Sequence, residues 1–177
     1  MADLLDGFTF DCPCCGERHV GLPALVCPWP DPFWALPEDQ REAADANDDF
    51  CVIDKKQFFV RATLRIPIVD EGAATLEYGI WGSLSETNFR LYGESFFDLD
   101  QSRLGGLFSY LSNALPGYGQ FPRALLGALF PQDNRQRPLF VLHEDQEHSL
   151  VHDQIHGISK ARAIELALPV LHPQGEA

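Results

Sequence analysis

Three cysteines and a histidine lie within eight positions near the start of the chain, a combination typical of metal binding. Cys12 and Cys15 form a C-x2-C pair, the spacing at which two thiolates of a tight turn face one ion. Gly16 can adopt the left-handed backbone conformation that such a turn needs, and His19 follows three residues later. A structural zinc ion takes four ligands, and Cys27 is the nearest further candidate. We therefore predict a structural zinc site formed by Cys12, Cys15, His19 and Cys27.

Two other interpretations of the cysteine pair remain open. The turn can be a knuckle that holds no metal, or the two thiols can act as a redox dithiol. The redox interpretation is disfavoured because C-x-x-C oxidoreductases place the motif at the start of a helix in a βαβ unit. Here Gly16 and a proline-rich stretch follow the motif instead.

A second group of histidines lies towards the end of the chain. His148, His152 and His156 are spaced four residues apart and would share one face of a helix, where imidazoles can bind a metal. The H-E-x-x-H pattern of a metalloprotease is absent, and a solvated polar helix face is the alternative interpretation. His148 or His143 is also a candidate to complete the N-terminal site from across the fold.

A proline-rich segment separates the cysteine motif from the rest of the chain. It carries Trp29, Phe33 and Trp34, which either pack onto the core or form an exposed aromatic binding surface. Its five prolines argue against a long helix or a central strand. A helix over residues 38–46 is expected to begin after Pro37.

The remaining sequence alternates in the manner of strands and ends in helices. Strands are predicted at residues 50–53, 58–69, 76–84, 107–111, 124–130 and 139–143. Ser85 is expected to cap a short helix after the third of these strands, and two further helices are predicted at residues 150–156 and 159–168, the second ending before Pro169. The predicted fold class is α+β, a mostly antiparallel sheet with helices on one side and a small N-terminal zinc-knuckle-like element.

The length and charge of the chain limit the number of domains and the classes of partner. The chain has 177 residues, 26 acidic and 13 basic side chains, and a formal net charge of −13. This length predicts one domain over residues 1–177, and the negative field disfavours nucleic acid and membrane surfaces as partners. We divide the chain into a zinc-knuckle-like element (8–28), a proline-rich acidic segment with a short helix (29–49), a β-rich body (50–143) and C-terminal helices (148–168).

The expected location is the cytoplasm. Residues 1–6 lack the basic and apolar regions of a secretory signal, and no run of apolar residues is long enough to span a bilayer. Five cysteines, three of them crowded together, make a poor disulfide framework and suit a reducing compartment.

Several segments together resemble an uncharacterised bacterial family, Domain of Unknown Function 2199, over about residues 10–168. The resemblance is carried by the cysteine–histidine motif of residues 12–19, by residues 48–54 (DDFCVID) with 58–61 (FFVR), by 78–85 (YGIWGSLS), by 115–118 (LPGY) and by 148–158. Ala62, Ser149 and the extra thiol of Cys14 depart from the family pattern, and Cys27 falls outside it. The resemblance implies no activity, substrate or catalytic residue.

Two functions follow from these observations. The first is a zinc-binding, non-catalytic protein-interaction or ligand-binding domain, because no nucleophile–base or carboxylate constellation is evident. The alternative is a metal-dependent, hydrolytic enzyme that uses the knuckle or the C-terminal histidines. For the binding domain, a basic protein partner is expected at Trp29, Phe33 and Trp34, since residues 1–50 carry eleven acidic and only two basic side chains. Burial of the two tryptophans would remove that surface.

Overall fold

The computed structural model describes residues 8–119 and 123–173. The residues in which a secretory signal was sought lie outside these ranges. The strands are β1 (Thr9–Asp11), β2 (Arg18–Val20), β3 (Leu25–Val26), β4 (Asp45–Ala46), β5 (Phe50–Ile53), β6 (Gln57–Pro67), β7 (Thr75–Leu84), β8 (Leu107–Leu111), β9 (Leu126–Phe130) and β10 (Leu139–Leu142). The α-helices are α1 (Asp31–Trp34), α2 (Glu38–Ala43), α3 (Glu86–Glu94), α4 (Ser149–His156) and α5 (Lys160–Leu171).

Strands β6 to β10 close into a five-stranded barrel. Each pairs antiparallel with the next along the chain, and β6 and β7 are matched from Phe58 opposite Leu84 to Pro67 opposite Thr75. The barrel closes where β10 returns to β6 in parallel, with Leu139 opposite Thr63. The α+β class and the mostly antiparallel pairing are thus confirmed. The closure of the sheet into a barrel, however, was not predicted.

Three short strands extend the sheet beyond the barrel, next to its two longest strands, β6 and β7. β3 pairs in parallel with β7, where Leu25 lies opposite Tyr78. On the other edge of β6, β5 pairs antiparallel and carries β4 outside it. This arrangement holds both the proline-rich segment and the acidic stretch after α2 against the same pair of long strands.

The apolar side chains form two clusters. The larger one fills the barrel and the space beneath α4 and α5, with Leu64, Leu76, Tyr78, Phe140 and Leu150 among its fully buried members. The smaller one lies beneath the proline-rich segment, and its buried members are Phe33, Cys51, Ile53, Phe59 and Trp81.

This smaller cluster includes most of the aromatic surface that was expected from the sequence. Phe33 is buried, and the ring of Trp29 is half-buried and stacks on Trp81 at 5.7 Å between centroids. Trp34 is 50% exposed, with the Arg41 guanidinium 5.7 Å from its ring centroid. Trp29 and Phe33 therefore pack onto the core, and Trp34 alone of the three faces solvent.

Several helix ends differ from expectation. The turn of helix α1 forms inside the proline-rich stretch, because Pro32 occupies its first turn, where no backbone N–H is needed. Helix α2 ends at Ala43, since residues 45–46 pair with β5. Helix α5 continues through Pro169 to Leu171, and this extension carries the following residue, His172, towards the N-terminal hairpin. Over the described ranges, no helix has both the length and the apolar character needed to cross a membrane.

Candidate metal centre

The cysteine motif lies in the turn of the β1–β2 hairpin. The strands pair with Phe10 opposite His19. At the turn, the Gly16 amide donates a hydrogen bond of 2.9 Å to the carbonyl of Cys12, and the Cys12 amide donates one of 2.8 Å to the carbonyl of Glu17. Gly16 has a φ of +73°, a conformation that side chains with a Cβ rarely adopt. The knuckle-like turn predicted from the sequence is therefore present.

Four ligand atoms gather at this turn. They belong to Cys12, Cys15, His19 and His172, and all lie within 4.8 Å of one another. The Cys12 Sγ is 3.0 Å from Nε2 of His172, and the Cys15 Sγ is 3.5 Å from Nε2 of His19. Zinc bonds of about 2.3 Å to sulfur and about 2.0 Å to nitrogen place tetrahedral ligand atoms roughly 3.3–3.8 Å apart. The four atoms thus have nearly the spacing of a tetrahedral zinc site.

Aromatic packing orients the two imidazoles. The ring of Phe10 stacks on His19, with centroids 5.3 Å apart and planes 19° apart. The His172 ring meets that of His19 edge to face, at 5.7 Å and 85°. The His172 amide donates a hydrogen bond of 2.8 Å to the carbonyl of Leu168, which fixes the residue to the last turn of α5. Both rings are thereby held with Nε2 towards the cysteines.

The two thiols differ in acidity. Burial raises the pKa of Cys12, but hydrogen bonds from the amides of Cys15 and Cys14 and from the His172 ring outweigh burial and lower the pKa to about 6. The pKa of Cys15 is raised: the amide of Glu17 lowers it, but desolvation and the neighbouring Cys12 thiolate have the larger combined effect. One thiolate, the form that binds metal, is therefore present at neutral pH.

The types of donor atom indicate which ion would fit this group. Two thiolates and two neutral imidazoles in a tetrahedral arrangement are typical of structural zinc sites. The two negative charges of the thiolates would balance the two positive charges of a divalent cation. The complex would therefore be neutral, which suits a site where Cys12 is buried against the core. The residues present therefore fit zinc.

Cys27, the fourth ligand expected from the sequence, does not belong to this group. Its amide donates a hydrogen bond of 2.8 Å to the carbonyl of Gly79, which holds it against β7. Burial and the nearby Asp31 raise the pKa of its thiol to about 11. His172 stands in its place. No spacing signal identified His172, since it lies 160 residues after Cys12 and only the docking of α5 brings it to the hairpin.

The other histidines proposed as ligands lie elsewhere. His148 caps α4, its Nδ1 accepting a hydrogen bond of 3.0 Å from the Leu150 amide. The rings of His152 and His156 contact each other at 4.6 Å, and His143 lies against Phe108 at 5.8 Å. Within the ranges that the structure describes, none of the four joins a group of three or more metal-ligating side chains.

The comparisons with known proteins give one match. A family model described as an uncharacterised protein conserved in bacteria (DUF2199) matches residues 11–158. This confirms the resemblance seen in the sequence, and the match includes three of the four gathered ligands but ends before His172. No curated protein and no solved structure matches the chain. The matched residues make up most of the chain, which therefore belongs to the DUF2199 family.

Proposed function

We propose that this protein is a non-catalytic binding domain whose Cys12, Cys15, His19 and His172 side chains hold a structural zinc ion. The observation that carries the proposal is the gathering of four ligand atoms, two sulfurs and two nitrogens, within 4.8 Å of one another. Catalytic zinc sites keep three protein ligands and an open position for water or substrate. Four protein ligands leave no such position.

The role of the ion in this proposal is to clamp the hairpin to α5. Strands β1 and β2 have three residues each, and an isolated two-stranded hairpin of this size is marginally stable in water. Phe8 and Phe10 hold the hairpin in place because their rings are buried in the core. The coordination bonds would in addition join the turn of the hairpin to the end of α5. Zinc binding would thereby contribute directly to folding stability.

The cleft above β7 and β8 supports the same conclusion. It encloses about 490 Å³ and is lined by Asp31, Lys56, Ser83 and Asn113 among others. The Asp31 carboxylate accepts hydrogen bonds from the Ala114 amide (2.7 Å) and the Asn113 side chain (3.2 Å). Asn113 in turn accepts a hydrogen bond from the Trp81 amide and donates one to the Trp29 carbonyl. The Asp31 and Asn113 side chains thus hold the proline-rich segment in place, and their use in these hydrogen bonds favours a structural role for them over hydrolytic chemistry.

The proposal retains the cytosolic location expected from the sequence. All five cysteines are free, which is the state that a reducing cytosol maintains. Free thiols are also what a zinc–thiolate site requires.

The metal content of the purified, tag-free protein tests the zinc site. We expect about one equivalent of zinc, and a cobalt-substituted protein whose visible spectrum has the intense bands of tetrahedral thiolate coordination. Added azide should leave that spectrum unchanged if four protein ligands close the site. Protein without bound metal, or a spectrum that azide shifts, would contradict the structural zinc site.

Two adjacent thiols supply a matched pair of variants. Cys15 belongs to the group of four and Cys14 does not, although both are exposed. We expect Cys15→Ser to lose most of the bound zinc and Cys14→Ser to keep it. Equal zinc content in the two variants would show that the gathered atoms are not the ligands.

A further inference from the structure

A groove with aromatic walls lies between the β4–β5 turn and the end of α3. It encloses about 720 Å³, within the range of pockets that hold small ligands or single side chains of a partner. Its lining includes the side chains of Asp45, Asp48, Phe50, Phe89, Phe96 and Phe97.

The walls of the groove are built from interlocking phenylalanines. The Phe50 ring meets Phe89 at 5.5 Å and Phe96 at 4.8 Å, both edge to face. Phe96 in turn meets Phe97 at 5.2 Å. Phe97 is nevertheless 73% exposed, an unusual state for a phenylalanine ring. The groove thus offers a rigid apolar wall that ends in a ring open to solvent.

Three carboxylates, those of Asp45, Asp48 and Asp49, also line the groove. The turn that carries Asp48 and Asp49 is fixed by Asn47, whose side-chain oxygen accepts hydrogen bonds of 2.9 Å from the amides of Asp49 and Phe50. Asp49 is neutralised by Arg137, at 3.1 Å. Asp45 and Asp48 form no ion pair with any residue that the structure describes. The charge of Asp48 interacts with the Arg61 guanidinium over a longer distance. Two exposed carboxylates without a direct ion-pair partner among the described residues therefore line the groove together with the aromatic wall.

Aromatic rings next to unpaired carboxylates are complementary to a cation with an apolar neighbour. The face of a phenylalanine ring attracts a guanidinium or ammonium group, and a carboxylate within reach adds a charge-assisted hydrogen bond. A cation–π contact already exists on Phe97, because the Arg135 guanidinium lies 6.0 Å from its ring centroid. The net charge of −13 adds long-range attraction for a basic partner.

We propose that this groove binds a segment of a partner protein in which a lysine or arginine adjoins an apolar side chain. The apolar side chain would pack on Phe89 and Phe97, and the cation would pair with Asp45 and Asp48. This inference deepens the proposed binding function and rests on it. It also moves the expected docking site from Trp29, Phe33 and Trp34 to the aromatic groove.

The test selects peptides from a phage-displayed library of random sequences on the full-length, zinc-loaded protein. We expect the selected peptides to carry lysine or arginine beside an aromatic or aliphatic residue. Their affinity, measured on synthetic peptides, should fall as the salt concentration rises. The double variant Asp45→Asn/Asp48→Asn and the variant Phe97→Ser should each weaken binding about fivefold or more.

Two exposed residues outside the groove supply matched controls. Asp39→Asn on α2 removes one carboxylate, as each half of the double variant does, and Phe108→Ser on β8 removes an exposed ring; both should leave the affinity unchanged. Selection of uncharged or acidic peptides, failure to select any, or equal loss in groove and control variants would overturn the proposal. Zinc content is measured on the same preparations, so that lost peptide binding with zinc retained rejects the groove and not the metal centre.

Discussion

The sulfur of Cys12 lies 3.0 Å from Nε2 of His172, although 160 residues separate them in the sequence. One belongs to the turn of the N-terminal hairpin and the other follows the last turn of α5. Their contact joins two elements that share no strand pairing. The stability of the hairpin and that of α5 should therefore be linked through this pair of side chains.

Replacement of His172 by alanine should weaken zinc binding more than tenfold, since even residues behind the ligands typically contribute 10–100-fold. At a fixed zinc concentration a tenfold loss removes about 1.4 kcal/mol of stabilisation, which lowers the melting temperature of a chain this size by about 3–5 °C. Chelator competition and thermal unfolding measure the two effects. His156→Ala, an exposed histidine outside the group, is the control. Identical zinc affinity in both variants would exclude His172 as a ligand.

The stability of the metal-free protein should depend on pH through Cys12. Its pKa is about 6 in the folded state, against 9.0 for an ordinary thiol. The folded state therefore binds fewer protons than the unfolded state between these values, and the stabilising contribution is lost as the pH falls from 9 to 6. Urea unfolding of wild type and Cys12→Ser across this range measures it. The pH dependence should be smaller in the variant, and parallel profiles would contradict a depressed pKa.

Gly117 and Gly119 make a matched test of how the loop before β9 packs against α5. Both have a positive φ, so alanine at either position costs about 1–2 kcal/mol of backbone strain. A Cβ at Gly117 would also collide with the Leu166 side chain, whereas one at Gly119 meets no atom of the described residues within 4 Å. We expect Gly117→Ala to lower the free energy of unfolding by about 1–3 kcal/mol more than Gly119→Ala. Equal losses in denaturant titrations would argue against this packing.

Trp81 should contribute far more to stability than Trp34. Its ring is fully buried, and its Nε1 donates to the carbonyls of Cys27 (3.2 Å) and Pro28 (3.3 Å). Trp81→Phe leaves a cavity and removes the N–H that the two carbonyls share, for which we expect a loss of about 1–3 kcal/mol. Trp34→Phe, at a half-exposed site, should change the free energy of unfolding by no more than about 0.5 kcal/mol. Urea titrations of both variants provide the comparison.

The features predicted correctly from the sequence are those that neighbouring residues determine. The turn from Cys12 to Gly16 depends on one glycine and two local hydrogen bonds. The starts of α3 and α5 depend on Ser85 and Ser159, whose side chains accept the amide hydrogen bonds of the first turn. Each of these patterns is complete within a few residues, so sequence reasoning can recognise it.

The features that escaped prediction join distant parts of the chain. Closure of the barrel depends on Leu139 meeting Thr63 in parallel, and alternation of apolar residues does not indicate which strand edges meet. Likewise, His172 becomes a neighbour of the hairpin only through the position of α5. Pro169 was expected to end that helix before residue 169, which would have removed the last turn of α5, the part of the helix that carries His172 to the hairpin.

The four side chains of the candidate metal centre are unevenly spaced along the sequence. This spacing predicts the order in which they come together during folding. Cys12, Cys15 and His19 come together as soon as the hairpin forms, which takes microseconds in isolated hairpins. His172 is expected to arrive only after the barrel has closed and α5 has docked, because contacts of large sequence separation form late. In the proposed zinc site the hairpin would therefore supply three of the four side chains first, and His172 would complete the set only when the chain reaches its native topology.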